Sequence, residues 1–125
     1  MMRWVVLAGV AMVAASPVAA QEALSGEALR AAVAGKTVHL ETPVGALPLV
    51  YGANGSLRGL GGTIAGYFAG PKEDKGRWWV SAEKLCQRWN TWLDSQTQCY
   101  KLSRSGDRVH WVRDDGRSGT ARISN

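Results

Sequence analysis

RWWVSAEKLCQRWNTWLDSQTQCYKLSRSGDRVHWVRDDGRSGTARI, residues 77–123, holds both cysteines of the chain and most of its tryptophans, and its alternation decides the fold. Side chains on a strand point to alternate faces, so one fixed cross-strand pair orients every neighbour. A disulfide between adjacent antiparallel strands sets Cys86 opposite Cys99, and Leu85 then faces Tyr100. A turn at Ser105-Gly106-Asp107 puts Tyr100 opposite Trp111 and Leu102 opposite Val109. A second turn, at Asp114-Asp115-Gly116, brings Trp111 to Ala121 and Val109 to Ile123. Backwards through residues 81–84, Val80 meets Leu85 and Trp78 meets Gln87. One face thus collects Trp78, Val80, Leu85, Trp89, Tyr100, Leu102, Val109, Trp111, Ala121 and Ile123. Independent turns agree on it as the core face.

The other face of these strands collects Arg77, Trp79, the cysteines, Arg88, Lys101, Arg108, His110, Val112 and Arg122. His110 falls between Lys101 and Arg122 in this register. No acid lies within the aligned stretches, because Asp94, Asp107, Asp114 and Asp115 are all turn residues. Guanidinium and ammonium groups on one sheet surface suit phosphate or carboxylate groups, and Trp79 offers a stacking platform. The plainer reading is a solvated outer face whose long side chains cover the sheet and the disulfide. Trp92, in the loop 90–97, either caps one end of the fold or stands exposed as an interaction anchor.

Upstream, the same period continues. Residues 37–42, 47–51 and 56–60 alternate between turn residues, Asn54-Gly55 is a hairpin signal, and Pro48 marks an irregular or edge position. A glycine-rich stretch, 59–70, carries Ile64, Tyr67 and Phe68, and PKEDKG (71–76) reads as a charged surface turn in which Glu73 and Asp74 have no visible partner. The remaining strands are expected at 77–80, 85–89, 98–103, 108–113 and 120–123. Residues 23–34 form the one expected helix: Ser25 at the N-cap, Glu27 in the first turn, Leu29, Ala32 and Val33 as a narrow apolar stripe, and Gly35 as the stop. Short strands between regular turn signals predict a mainly β domain, an antiparallel meander closing as a barrel or a sandwich.

The first twenty residues set the compartment. Arg3 precedes an apolar run of about a dozen residues, short of the roughly 20 that span a bilayer, and small residues, Val18 and Ala20, precede Gln21. Residues 1–20 are therefore expected to be a signal peptide cleaved after Ala20, leaving 21–125 as a single periplasmic domain without a transmembrane segment. Export makes a structural disulfide the better reading of Cys86 and Cys99 than a redox or metal pair. The formal net charge of +5 suits anionic lipid, glycan or envelope-protein partners, and the leader takes the chain away from nucleic acid.

Chemistry-bearing motifs are sparse. His39 and His110 are the only imidazoles and sit in no nucleophile or metal pattern. Asp114-Asp115-Gly116 lacks the alternating acids of a calcium loop, and no helix bearing Lys and Ser or Thr follows the glycines. The expectation is a non-enzyme with no catalytic residue, metal or cofactor.

The motifs L-S-G-E-A-L-R…G-K-T (Leu24 to Thr37), Tyr51…Asn54-Gly55…Gly59, G-x-W-x-V…L-C-x-x-W…C (Gly76 to Cys99) and D-G-x-x-G (Asp115 to Gly119) resemble small exported proteobacterial proteins of unknown function. That resemblance covers nearly all of the chain after the leader. It implies a periplasmic β-domain and carries over no catalytic residue.

Three functional expectations follow. The first is a binding module using Arg77, Trp79, Arg88, Lys101, His110, Arg122 and Trp92 against an anionic envelope component. The second is a lipocalin-like carrier of a small apolar ligand, lined by Tyr67, Phe68, Trp78 and Trp111. The third is an inhibitor of an exported hydrolase, using loop 90–97.

Overall fold

The computed structural model describes residues 21–62 and 71–125; residues 1–20, expected to be a signal peptide, and Ile64, Tyr67 and Phe68 lie outside the described residues. A two-residue strand β1 (Glu22–Ala23) and a helix α1 (Gly26–Val33) precede eight longer strands. These are β2 (Lys36–Thr42), β3 (Gly45–Tyr51), β4 (Ser56–Leu60), β5 (Glu73–Ser81), β6 (Lys84–Trp89), β7 (Thr97–Ser105), β8 (Arg108–Arg113) and β9 (Ser118–Ser124). Each pairs antiparallel with the next, and β9 returns to β2, with Val38 opposite Ile123 and Leu40 opposite Ala121. The meander is a closed eight-stranded barrel, not a sandwich. Closure leaves no long unpaired edge. Strand β1 pairs with β7 at Ser103 and Arg104, beyond the point where β6 has ended.

The disulfide anchors the register as expected. Cys86 and Cys99 face each other, bonded, with Cα atoms 4.1 Å apart, and Leu85 faces Tyr100. Val80 meets Leu85 and Trp78 meets Gln87. The next two hairpins are each displaced by two residues. Ser105 pairs with Arg108, so only Gly106 and Asp107 form the turn, and Tyr100 meets Arg113 while Leu102 meets Trp111. Gly106 adopts φ 62°, the left-handed conformation that such a tight hairpin requires. Val109 then meets Ala121 and Trp111 meets Gly119. A two-residue slip preserves the face of every side chain, so the core face survives the correction.

Two other expectations change. PKEDKG is not all turn, because β5 begins at Glu73 and Asp74 points inward, buried. Its carboxylate accepts the backbone N–H groups of Thr91 and Trp92 at 2.8 and 2.7 Å, which fixes the connection after β6. Helix α1 starts at Gly26 because residues 22–23 are paired as strand, and Ser25 occupies the N-cap without a side-chain capping bond.

The helix closes one end of the barrel. Leu29, Ala32 and Val33 are buried, Gly26 N–H donates to Ala82 O, and Gly35 (φ 72°) turns the chain so that its N–H donates to Tyr51 O. Arg30 lies over the Trp78 ring, 5.5 Å from its centroid, and the Trp78 indole N–H donates to Gly52 O at 2.8 Å. Leu29, Val33 and Leu57 are the most deeply enclosed large side chains of the barrel. Each contributes roughly 1.5–3 kcal/mol by leaving water.

Candidate functional site

Among the described residues the barrel encloses a cavity away from the helix. A cavity of about 350 Å³ opens between the β2–β3 turn, the β6–β7 connection and the β8–β9 turn. Its wall follows from the inward positions of the strands: Val38, Leu40, Leu47, Leu49, Leu85, Leu102, Val109 and Ala121, with the rings of Tyr51, Trp89, Trp92, Tyr100 and Trp111. Two glycines make room for those rings. A Cβ at Gly59 would sit 2.1 Å from the Trp92 ring, and one at Gly119 would sit 2.7 Å from Trp111. Neither indole keeps its place if the glycine opposite gains a side chain.

The polar groups of this interior are few. Tyr51 Oη donates to Gln87 Oε1 at 2.6 Å, and burial pushes the Tyr51 phenol above its ordinary value. The Tyr100 phenol is also raised by burial, against the opposing pull of the Arg113 guanidinium beside it. The indole N–H of Trp111 is buried and has no acceptor among the described residues. At the mouth, the Arg113 side chain is only 11% exposed and donates from Nε and a terminal nitrogen to the two Asp115 oxygens at 3.0 and 2.5 Å. Asp115 also accepts the Arg117 N–H at 3.0 Å and lies 3.6 Å from its Nε. These bonds hold its carboxyl down at about 2, from an ordinary 3.8.

Of the side chains expected to line a cavity, Trp111 does, whereas Trp78 belongs to the packed end under α1. Tyr67 and Phe68 lie outside the described residues. Trp92 is not an exposed anchor. It is buried, its ring centroid is 4.7 Å from that of Trp89, and its indole N–H donates to Pro71 O at 2.8 Å. It caps the barrel because Asp74 draws its backbone inward. Arg113 and Gln87 were missed as interior residues, although each is two positions from an inward one, Trp111 and Leu85, on its own strand.

The outer cationic face divides in two. Lys101 lies 3.5 Å from Glu83, Arg108 3.4 Å from Glu41 and Arg122 3.8 Å from Asp107, so acids from turns and from β2 reach this half. His110 is half-buried and sits opposite Ser103 and Thr120, not between Lys101 and Arg122, as a result of the two-residue shift. On β4 to β6 the cations remain: Arg77 is directly opposite Arg88, Arg58 is opposite Lys75, and none of the four has an acid partner among the described residues. Trp79, 37% exposed, borders this block beside the disulfide.

His39 is bonded to Ser124 Oγ at 2.8 Å. Among the described residues no group of three His, Cys, Asp or Glu side chains could hold a metal ion, and no helix is long and apolar enough to cross a membrane. Comparison with protein-family models, with curated proteins and with solved structures finds no match to this chain.

Proposed function

We propose that this protein is a carrier, exported to the periplasm after cleavage at Ala20, that holds a small apolar molecule inside its barrel. One observation carries the reading: among the described residues, an apolar, aromatic-rich cavity of about 350 Å³ opens at one end of a barrel whose other end is covered by α1. Ligand sites of this kind run from about 300 to 1,000 Å³, apolar with a few placed polar groups. The disulfide is consistent with an oxidising compartment. Titration with 1-naphthylamine, a small fluorophore that is neutral at pH 7, tests it, with energy transfer from the wall tryptophans as the readout. Saturable 1:1 uptake is expected, and Leu40→Trp, which fills the void near the mouth, abolishes it. Absence of saturation, or uptake by Leu40→Trp equal to the wild type, overturns the reading.

A second reading concerns the outer face. Like charges directly opposite on adjacent strands are destabilising, and here Arg77–Arg88 and Arg58–Lys75 form two such pairs side by side. An anionic envelope surface would relieve that repulsion, with Trp79 at its edge. Partition onto vesicles containing anionic lipid should drop sharply in Arg77→Ala/Arg88→Ala and fall with salt. Equal, salt-insensitive partition of both proteins would dispose of it.

A further inference from the structure

We propose that the molecule held in the barrel is an amphipathic anion, a single short apolar tail ending in a carboxylate, with its head at Arg113 and Arg117 and its tail among the wall leucines and tryptophans. The inference rests on the carrier reading and specifies its ligand. Three observations converge on it.

First, the polar groups are unevenly placed along the cavity. Deep in the wall, the Tyr51 hydroxyl donates to Gln87 Oε1, and that region presents hydrocarbon, ring faces and a neutral amide but no charged group. The charged side chains in the lining are Glu41, Arg113 and Arg117, all at the mouth. Glu41 is already engaged, accepting from Thr120 Oγ1 at 2.8 Å and lying 3.4 Å from Arg108. A ligand seated here therefore meets an apolar floor and an ionic rim.

Second, the rim groups its guanidinium side chains. Two of the three charged side chains in the lining, Arg113 and Arg117, share the single carboxylate of Asp115, while the third, Glu41, is held by Thr120 and by Arg108 on the outer face. Arg113 occupies an inward position, two residues beyond Trp111, where an apolar side chain would continue the wall. Its guanidinium is nearly enclosed, and the acid that compensates it comes from the turn immediately following, on a carboxylate that is itself 45% exposed. Asp115 thus sits where the carboxylate of a ligand would bind, on the same two-pronged donor. Arg117, 75% exposed and 3.6 Å from Asp115, is placed to take a second carboxylate. The Trp111 indole N–H, one inward position below Arg113, adds a donor without an acceptor among the described residues.

Third, the volume limits the tail. A cavity of roughly 150 Å³ accommodates benzene, so about 350 Å³ suits a molecule of roughly a dozen heavy atoms. Decanoate is of that size.

The experiment compares decanoic acid with decanol by calorimetry on the purified, disulfide-bonded protein at pH 7 and low salt. Decanoate should bind about tenfold more tightly than decanol, the increment of one charge-assisted contact. Arg113→Gln/Arg117→Gln should bind decanol as the wild type does and lose the preference for the acid. Arg117→Gln alone, at an exposed position, should lose part of it even if the double variant folds poorly. Asp115→Asn, which removes the competing charge while keeping a side-chain oxygen, should tighten decanoate and leave decanol unchanged. Equal affinity for acid and alcohol, or an acid preference that survives Arg117→Gln undiminished, overturns the anionic-ligand inference and leaves the carrier standing. Failure of both compounds to bind overturns the carrier and this inference together.

Discussion

Gln87 and Asp74 are the polar side chains most deeply buried among the described residues, and each is bound to one set of partners. Gln87→Leu leaves the Tyr51 hydroxyl buried without an acceptor, which should cost about 1–3 kcal/mol in urea unfolding. The double variant Gln87→Leu/Tyr51→Phe removes both polar groups and should recover most of that loss, so the cycle isolates the pair. Asp74→Ala strands two backbone donors, at Thr91 and Trp92, and should cost about 2–3 kcal/mol with a red shift in tryptophan emission as Trp92 loosens. The inward position of Gln87 was readable from its place opposite Trp78. That of Asp74 was not, because its partners are backbone N–H groups and its neighbours Lys72, Glu73 and Lys75 read as a solvated turn. Asp115 gives a pH signature. Its folded-state value of about 2 lies below the ordinary 3.8, so the ionised form favours the folded state. Its contribution is complete above about pH 4 and disappears as the pH falls through 2. Urea midpoints between pH 2 and 5 should show that slope in the wild type and a shallower one in Asp115→Asn.

At the level of elements, the connection from β6 to β7 combines a covalent clamp with backbone strain. Leu93, Asp94 and Ser95 all adopt φ near +55°, a run of left-handed residues without a glycine. Each such residue costs about 1–2 kcal/mol. The turn is held from both sides: Asp74 grips its start, Ser95 Oγ donates to Asn90 O at 2.6 Å, and the disulfide joins the strands that carry it. Asp94→Gly relieves one strained position and should raise the urea-unfolding free energy by up to about 1 kcal/mol, offset in part by the freer unfolded chain. Reducing the disulfide, which closes a loop of about 14 residues, should remove about 3 kcal/mol. Nothing in the composition of loop 90–97 announces left-handed residues, so this turn could not be read from the sequence. The strands could, since one covalent pair and a period of two determine their faces. Their pairing partners were less legible: a turn of two residues and one of four place the same side chains inward, and only geometry separates them.

Among the described residues the barrel is covered by α1 at one end and holds a cavity at the other, and a period-two pattern describes both ends equally well. The apolar stripe of Leu29, Ala32 and Val33 identifies a helix that must dock, but where it docks depends on whether the meander closes. Closure requires β9 to find β2, and that pairing across nearly the whole domain left barrel and sandwich equally consistent with the sequence. Once closed, the barrel has two ends that should answer substitution in opposite senses. Leu29 is fully enclosed on the inner side of α1, so Leu29→Ala should cost about 2–5 kcal/mol. Leu40 faces the cavity, where an indole gains contacts without displacing any, so Leu40→Trp should leave stability equal or raise it by up to about 1 kcal/mol. Urea midpoints of the two variants decide the point, because a uniformly packed barrel would be destabilised by both, by the void in one case and by crowding in the other. A stable Leu40→Trp beside a weakened Leu29→Ala means that the hollow is room the fold keeps open, not a fault in its packing.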